Sequence, residues 1–180
     1  MDIYKDISNV VWAKNAIITL TDLGVLTGYG DLTFRPDELV TREQFVKIVA
    51  EAFDLKSDGE DVVFDDVDKN AWYYPYVKAA YQNGIITGYS ENLFGIGDTI
   101  TRQDMCTICY KLLKNRIDVK FVGDLTFDDS EEISDYAKEA VATLVNYGVL
   151  NGTGDNQFKP FDNATRVQAA KVVYLLMNIN

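Results

Sequence analysis

Three arginines recur in one local pattern and are the residues best suited to bind a charged ligand. Each follows a threonine, and a polar residue three positions after that threonine completes the capping-box pattern of a helix start. The arginines are Arg42, Arg102 and Arg166. A cation in the first helical turn opposes the helix dipole at a cost of about 0.3–1 kcal/mol, so helix formation does not account for it. Backbone N–H groups beside a guanidinium favour a carboxylate or phosphate ligand.

Salt bridges between neighbouring parts of the chain are the structural alternative for these arginines. Acidic residues suited to such bridges are Asp6, Asp66 and Asp129. The anion-site hypothesis predicts that the arginines can be replaced without unfolding the chain, because an arginine in the first turn adds little to helix stability. The salt-bridge hypothesis predicts that they cannot. The sequence leaves both open.

An aromatic residue stands at the start of a predicted helix upstream of each arginine. These residues are Trp12, Trp72 and Tyr136. An aromatic side chain at a helix start commonly packs into the core. Beside an anion site, an aromatic face together with an arginine would instead suit a charged sugar. Both roles are open for these three residues.

Other patterns that imitate chemical sites do not complete one. Cys106 and Cys109 have the spacing of a redox or zinc pair, but they lie inside a helix and align with apolar residues elsewhere, so we expect core residues. Asp66, Asp68 and Asn70 imitate a calcium loop that lacks its glycine and glutamate. The chain has no histidine, which excludes catalytic triads and histidine metal sites. We expect no catalysis, metal or cofactor.

The elements that position these residues are three copies of one unit. Three features recur at equivalent positions of each unit: the glycine after the first helix (Gly24, Gly84, Gly148), the loop phenylalanine (Phe34, Phe94, Phe158) and the Thr-Arg pair. The pattern predicts units at 1–62, 63–124 and 125–180. Because repeats in register bury one another's apolar faces, we expect one folded unit.

Each unit reads as helix, loop, helix. In the first helix the apolar residues follow helical spacing and are expected to be buried: Ala13, Ala16, Ile17, Leu20 and Leu23. A glycine then provides a left-handed stop. A single helix pair cannot bury its apolar stripe alone, so the sequence predicts an all-α fold with pseudo-threefold symmetry.

Composition excludes several function classes. Of the 180 residues, 47% are hydrophobic and 25% are charged, a globular balance. The net charge of −11 repels nucleic acid and anionic membranes, and no apolar run is long enough to insert into a bilayer. The N-terminus has no signal-peptide pattern, and we expect the chain to be a module of a longer parent protein.

Each unit resembles the S-layer homology (SLH) motif. Its hallmarks are an F-x-D-V start, a Trp-Ala helix opening, a G-Y-x-D-x-T-F-x-P loop and an I-T-R-x-E helix start. In the first unit these segments are residues 4–7, 12–13, 28–36 and 40–44. The other units keep most of them, at 64–67, 72, 88–94 and 100–104, and at 127–129, 136–137, 152–160 and 164–166. The resemblance covers nearly the whole chain apart from the linkers.

The resemblance implies a three-pronged spindle around a central helical bundle. It also implies non-covalent binding of secondary cell-wall polysaccharide in grooves between repeats, typically through a pyruvylated N-acetylmannosamine. The anionic glycan, a covalently linked cargo domain in the parent protein, and a place in the cell wall or S-layer outside a Gram-positive-type bacterium follow from it. The candidate carbohydrate-binding residues are Arg42, Arg102, Arg166, Trp12, Trp72, Tyr136, Asp6, Asp66, Gly30, Tyr29 and Tyr89.

Two functions fit these observations. The first is attachment of a parent surface protein to the cell wall through the glycan. The alternative is a protein–protein or S-layer lattice-assembly module that uses the same grooves. Because Tyr136 replaces tryptophan in the third unit, the groove that depends on Tyr136 is predicted to bind most weakly.

Overall fold

The computed structural model describes residues 3–119 and 123–179. Within these residues the fold is all-α, as predicted, with six α-helices, two 3-10 turns and only isolated β-bridges. The helices are α1 (Lys14–Asp22), α2 (Arg42–Ala52), α3 (Tyr74–Gln82), α4 (Arg102–Arg116), α5 (Asp135–Asn146) and α6 (Arg166–Met177), and the 3-10 turns are Val11–Ala13 and Ser130–Glu132. Each predicted unit contributes two helices. Residues 1–2, 120–122 and 180 of those units lie outside the described residues.

The second helix of each unit begins where the capping pattern predicts. A threonine side chain accepts a hydrogen bond from the backbone N–H three residues on in all three: Thr41, Thr101 and Thr165. The reciprocal bond of a capping box is made by Gln44 in α2 and Gln168 in α6. The prediction of a third complete box is wrong, because Asp104 in α4 turns its carboxylate to other partners.

The first helix of each unit ends at the predicted glycine. Gly24, Gly84 and Gly148 have φ angles of +74°, +69° and +69°, which only glycine adopts without strain. In α1 the predicted buried residues are confirmed except for Leu23, which is 58% exposed. Leu23 is the C-cap residue, so it lies past the last turn that faces the core.

Helices pack between repeats rather than within them. The most extensive contacts join α2 to α3, α4 to α5, and α6 back to α1. A prong therefore combines the second helix of one unit with the first helix of the next, and the last unit closes on the first. The second helices also meet one another, α6 contacting both α2 and α4. This cyclic exchange produces the predicted central bundle with pseudo-threefold symmetry.

A closed ring of backbone hydrogen bonds links the three units just before their second helices. Val40 N–H donates to the carbonyl of Ala164, Ala164 N–H to that of Ile100, and Ile100 N–H to that of Val40, at 2.8–3.0 Å. All three residues are at most 1% exposed. Because every donor is matched by an acceptor from another unit, none of the three units completes this ring alone.

The two cysteines are core residues, as predicted. Both Cys106 and Cys109 are fully buried on α4 and both are free thiols. Burial raises the pKa of Cys106 to about 12 and that of Cys109 well above its ordinary value. Neither thiol is therefore activated as a nucleophile or as a metal ligand at neutral pH.

Candidate functional site

Each arginine of the Thr-Arg pairs is hydrogen-bonded to the next repeat in the cyclic order, a contact that we call the arginine clamp. Its Nε donates to the carbonyl of the loop phenylalanine there: Arg42 to Phe94 at 2.9 Å, Arg102 to Phe158 at 2.8 Å and Arg166 to Phe34 at 2.8 Å. Only 5% of Arg42 and 4% of Arg102 is exposed. Each arginine therefore joins two repeats through a neutral carbonyl group.

A salt bridge between repeats joins Arg42 to Asp104, but the predicted partners Asp6, Asp66 and Asp129 are wrong, because their carboxylates accept from backbone N–H groups. Each accepts hydrogen bonds of 2.7–2.9 Å from backbone N–H groups of the loop in its own unit, beginning at the loop phenylalanine. Burial raises the pKa of Asp66, but three N–H donors outweigh it and hold that pKa below its ordinary value. The aspartates fix the loops that hold the arginines.

A second glycine in each loop permits close packing under that loop. A Cβ on Gly28 would collide with the ring of Tyr4 and lie 2.7 Å from the carbonyl oxygen of Thr33. A Cβ on Gly88 would lie 2.5 Å from the ring of Phe64, and a Cβ on Gly152 would lie 3.0 Å from the ring of Phe127. The aromatic residue that opens each unit thus lies against this glycine. This contact leaves no room for a side chain between the loop and that ring.

Three peripheral cavities are built on the arginines. The Arg42 cavity, of about 370 Å³, lies between Arg42, residues 85–89, the exposed face of α4 and Tyr136. The Arg102 cavity, of about 390 Å³, lies between Arg102, residues 149–153, α6 and Trp12. The Arg166 cavity, of about 220 Å³, lies between Arg166, residues 25–29 and α2. The first two have the size of small-molecule sites and draw on all three units.

The aromatic residues of the first helices sit at the cavity edges in two of the three cases. Trp12, Trp72 and Tyr136 are 54%, 54% and 59% exposed, so none is a core residue. Tyr136 lines the Arg42 cavity and Trp12 the Arg102 cavity, each from the unit that does not supply the arginine or the loop. Trp72 does not line the Arg166 cavity. The two tryptophans precede α1 and α3 instead of opening them, whereas Tyr136 lies in α5.

The loop tyrosines pack on two of the guanidinium groups. The Arg42 guanidinium carbon lies 4.1 Å from the centre of the Tyr89 ring, and that of Arg166 lies 5.1 Å from the Tyr29 ring. Both tyrosines line their cavities, and burial raises the pKa of each. Asp6, Asp66 and Gly30 line none of the three cavities, so the structure does not bring these candidates to the site.

The arginines differ in their remaining partners. Nη1 of Arg42 lies 3.5 Å from Oδ2 of Asp104, and the Tyr136 hydroxyl donates to Oδ1 of the same carboxylate at 2.7 Å. Arg102 and Arg166 instead donate through Nη2 to the carbonyls of Asn151, at 3.3 Å, and Thr27, at 3.0 Å. Burial lowers the pKa of Arg102, and the charges of Asp162 and Asp129 offset this only in part.

Several cavity residues were not predicted from the sequence. They lie on the second helix of the unit that supplies the loop: Gln44 and Lys47, Asp104 and Thr107, and Gln168 and Lys171. Helical spacing places the two members of each pair on one face, three residues apart. The repeat alignment held this signal, because these polar residues stand beside the Thr-Arg pair in every unit.

No helix of the described residues combines the length and apolarity needed to cross a bilayer. Among the same residues, no cluster of three or more acidic or cysteine side chains is placed to hold a metal ion.

The fold and the three arginine cavities define a pseudo-threefold repeat module. The family model for the S-layer homology domain matches this chain three times, at residues 3–46, 63–106 and 126–170. The chain therefore belongs to the S-layer homology family, as a triplet of its domains. Each matched segment falls inside one of the predicted units.

Relatives of known name contain this module as a small part. The chain is 34% identical to an amylopullulanase from Thermoanaerobacterium thermosulfurigenes over 92% of its length, which is 9% of that enzyme. It is 32% identical to a surface-layer 125 kDa protein from Lysinibacillus sphaericus over 81% of its length, or 12% of that protein. It is 28% identical to S-layer protein EA1 from Bacillus anthracis over 96% of its length, or 20% of that protein. The chain thus spans a fifth or less of these relatives.

Proposed function

We propose that this chain attaches a parent surface protein non-covalently to the cell wall by binding an anionic secondary cell-wall polysaccharide. The ligand group is a sugar that carries a carboxylate, of which pyruvylated N-acetylmannosamine is the expected example. The site of action is the outer surface of a Gram-positive-type bacterium. Relatives that share the module but differ in the rest of their chains, an amylopullulanase and two S-layer proteins, support an anchoring role that is independent of the cargo.

The observation that carries the proposal is the Arg102 cavity. A buried guanidinium, a half-buried Lys171 and the exposed indole of Trp12 surround one cavity of sugar size. Arginine and lysine supply charge-assisted hydrogen bonds to a carboxylate, and an indole face packs against the apolar face of a sugar ring. Residues 149–153 also line this cavity, and uncharged polar groups there can pair with the hydroxyl or acetamido groups of a sugar.

Binding must rest on contacts inside the cavities, because the field around the whole chain is unfavourable. At physiological salt the net charge of −11 repels an anionic glycan only within about 8–10 Å of the surface, because salt screens the charges at greater distances. Inside a cavity that is partly shielded from water, salt screens the arginine–carboxylate contact much less. We therefore expect binding to weaken only modestly when salt is raised to the physiological range.

Cosedimentation with purified cell walls tests the proposal. The chain should bind walls that retain their secondary polysaccharide and should lose binding after that polysaccharide is removed by mild acid. The pyruvylated monosaccharide should compete for the wall. Binding that survives removal of the polysaccharide would contradict the proposal and favour the lattice-assembly function.

A charge-reversal pair assigns the binding to a cavity. Lys171→Glu places an anion in the Arg102 cavity and should weaken wall binding by roughly tenfold or more. Lys138→Glu makes the same change on α5, outside the three cavities, and serves as the matched control. Equal losses in both variants would mean that overall charge, not the cavity, determines binding.

A further inference from the structure

The Arg42 cavity differs from the Arg102 cavity at the one place where a ligand carboxylate would bind. On the wall of the Arg102 cavity, Gln168 uses its side-chain oxygen to accept from the backbone N–H of Thr165, and it does not contact the arginine. Asp104 occupies the equivalent position in the Arg42 cavity. Its Oδ2 lies 3.5 Å from Arg42 Nη1, so a carboxylate of the chain itself already faces the guanidinium.

The contact between Asp104 and Arg42 is built into the fold. The two side chains are only 16% and 6% exposed. Tyr136, from the third unit, donates its hydroxyl to the other oxygen of Asp104 at 2.7 Å, so both carboxylate oxygens have partners. In making these contacts, Asp104 forgoes the capping-box bond that Gln44 and Gln168 make in the sister helices. The carboxylate therefore has a defined orientation toward the arginine.

A second difference on the same helix face acts in the same direction. One turn after Asp104, the Arg42 cavity has the uncharged Thr107, where the Arg102 cavity has Lys171. At these two helix positions the Arg42 cavity thus adds an aspartate to its arginine, and the Arg102 cavity adds a lysine. The lysine of the Arg42 cavity, Lys111, lies one further turn along α4, about 10 Å from the Asp104 position, and contacts Thr87.

We infer that Asp104 determines the specificity of the Arg42 cavity, which takes an uncharged sugar residue, while the Arg102 cavity takes the anionic one. This inference rests on the proposed function. A ligand carboxylate in the Arg42 cavity would share one guanidinium with Asp104 and be repelled by it. A neutral sugar meets no such repulsion, and its hydroxyl groups can donate to Asp104. The triplet therefore reads two different residues of the glycan.

Backbone amide signals of two loop glycines can report the two cavities separately. Gly88 lies in the wall of the Arg42 cavity and Gly152 in that of the Arg102 cavity. The probes are the methyl glycoside of pyruvylated N-acetylmannosamine and its methyl ester, which has the same shape without the charge. In the wild-type chain, Gly152 should respond to the anionic probe, and Gly88 should respond to the ester with at least tenfold preference over the anion.

Asp104→Asn removes the charge at constant size, and it should raise the affinity at Gly88 for the anionic probe roughly ten- to a hundredfold. Gln168→Asp is the reciprocal variant and should weaken the anionic response at Gly152. Thermal unfolding of both variants checks that the fold is kept.

An equal anionic affinity at both glycines of the wild-type chain, or an unchanged Gly88 response in Asp104→Asn, would overturn the inference and leave the proposed function standing. If neither probe changes the amide signal of Gly88 or Gly152, the proposed function is overturned, and the inference with it.

Discussion

The inner and the outer sides of the three arginines differ in how closely the repeats resemble one another. On the inner side, an aspartate holds a loop and the loop phenylalanine carbonyl accepts from the arginine Nε, three times over at nearly equal distances. On the outer side, each of three equivalent wall positions has the same residue in two repeats and a different one in the third: Gln44, Asp104 and Gln168; Lys47, Thr107 and Lys171; Tyr29, Tyr89 and Thr153.

Each arginine therefore has two roles: its inner contacts hold the repeats together, and its outer side is available to bind a ligand. The inner contacts close the ring of repeats, so a change in any one of them would loosen two units at once. The outer walls also carry contacts between repeats, such as those of Asp104 with Arg42 and Tyr136, but these contacts differ from one repeat to the next. The threefold symmetry is therefore kept on the inner side, where the fold depends on it. Differences in ligand specificity can arise on the outer side, where the fold does not require the repeats to be alike.

The largest expected effect comes from removing the inner contacts altogether. Replacing Arg42, Arg102 and Arg166 together by alanine leaves three phenylalanine carbonyls without their donors, at about 1–3 kcal/mol each. That sum is comparable to the whole stability of a small domain, so the triple variant should unfold or melt far below the wild-type chain. Thermal unfolding followed by circular dichroism measures this.

The result for the triple variant also decides between two expectations. Reasoning from helix ends alone, the anion-site hypothesis expects the variant to fold; the clamped arginines of the structure lead to the opposite expectation. Lys138→Ala, a change of a cation that lies outside the clamps, should leave the melting temperature nearly unchanged. A cooperative triple variant with an unchanged midpoint would show that the ring does not depend on the arginines.

A smaller effect is expected from the loop glycines. Gly28→Ala drives a methyl group into the ring of Tyr4 and should destabilise the chain by about 1–3 kcal/mol. Gly30→Ala, two residues away, meets no atom within 4 Å and should change stability by less than about 0.5 kcal/mol. Urea unfolding of the pair measures the difference. Equal stabilities of the two variants would mean that the close contact between Gly28 and Tyr4 is not required for the fold.

Acid should loosen the loop that Asp66 holds. Its pKa in the folded chain lies below the unfolded value of about 3.9, so its contribution is present above pH 4 and is lost as the pH falls through the folded pKa. Asp66→Asn should cost about 1–2 kcal/mol at pH 7 and less at pH 3. Urea unfolding at both pH values checks the sign, and a cost that grows toward pH 3 would contradict it.

The smallest predicted effect tests the outer side. Trp12 lines the Arg102 cavity and Trp72 lines none of the three, although both are 54% exposed. Trp12→Ala should weaken binding of the pyruvylated sugar about two- to tenfold, and Trp72→Ala should leave it nearly unchanged. Calorimetric titration of the two variants compares them. Equal losses would show that Trp72 also reaches a ligand.

Much of the fold could be predicted from the sequence because its causes are local. The threonine caps, the glycine stops at residues 24, 84 and 148 and the buried cysteines follow from neighbours within one or two helical turns. Leu23 escaped this reasoning because the periodicity of a helix does not show at which residue the helix leaves the core. The candidate arginines and loop tyrosines were found in the same local way, since each repeats at a fixed distance from its cap or glycine.

The partners of these residues could not be predicted, because they lie in other repeats or 28 residues away in the same repeat. Asp6 and Asp66 were proposed as ligand contacts, and the structure places them under the loops. Arg42 meets a carboxylate 62 residues further along the chain, and Tyr136 reaches that carboxylate from the third unit. A repeat alignment gives the register within each unit, but it carries no information on which units exchange their helices.

The sequence by itself determined an all-α triplet of S-layer homology repeats with an arginine at each second-helix start, because helix caps, stops and periodicity act over a few residues. Only the tertiary structure decided that each arginine clamps the next repeat and that the Arg42 and Arg102 cavities combine residues from all three units. The physical reason is that the apolar face of one helix can pack against any complementary apolar face, so the helix itself does not specify its partner. The pairing of α6 with α1 completes the cycle, because all of the apolar helix faces are buried only when the last repeat packs against the first.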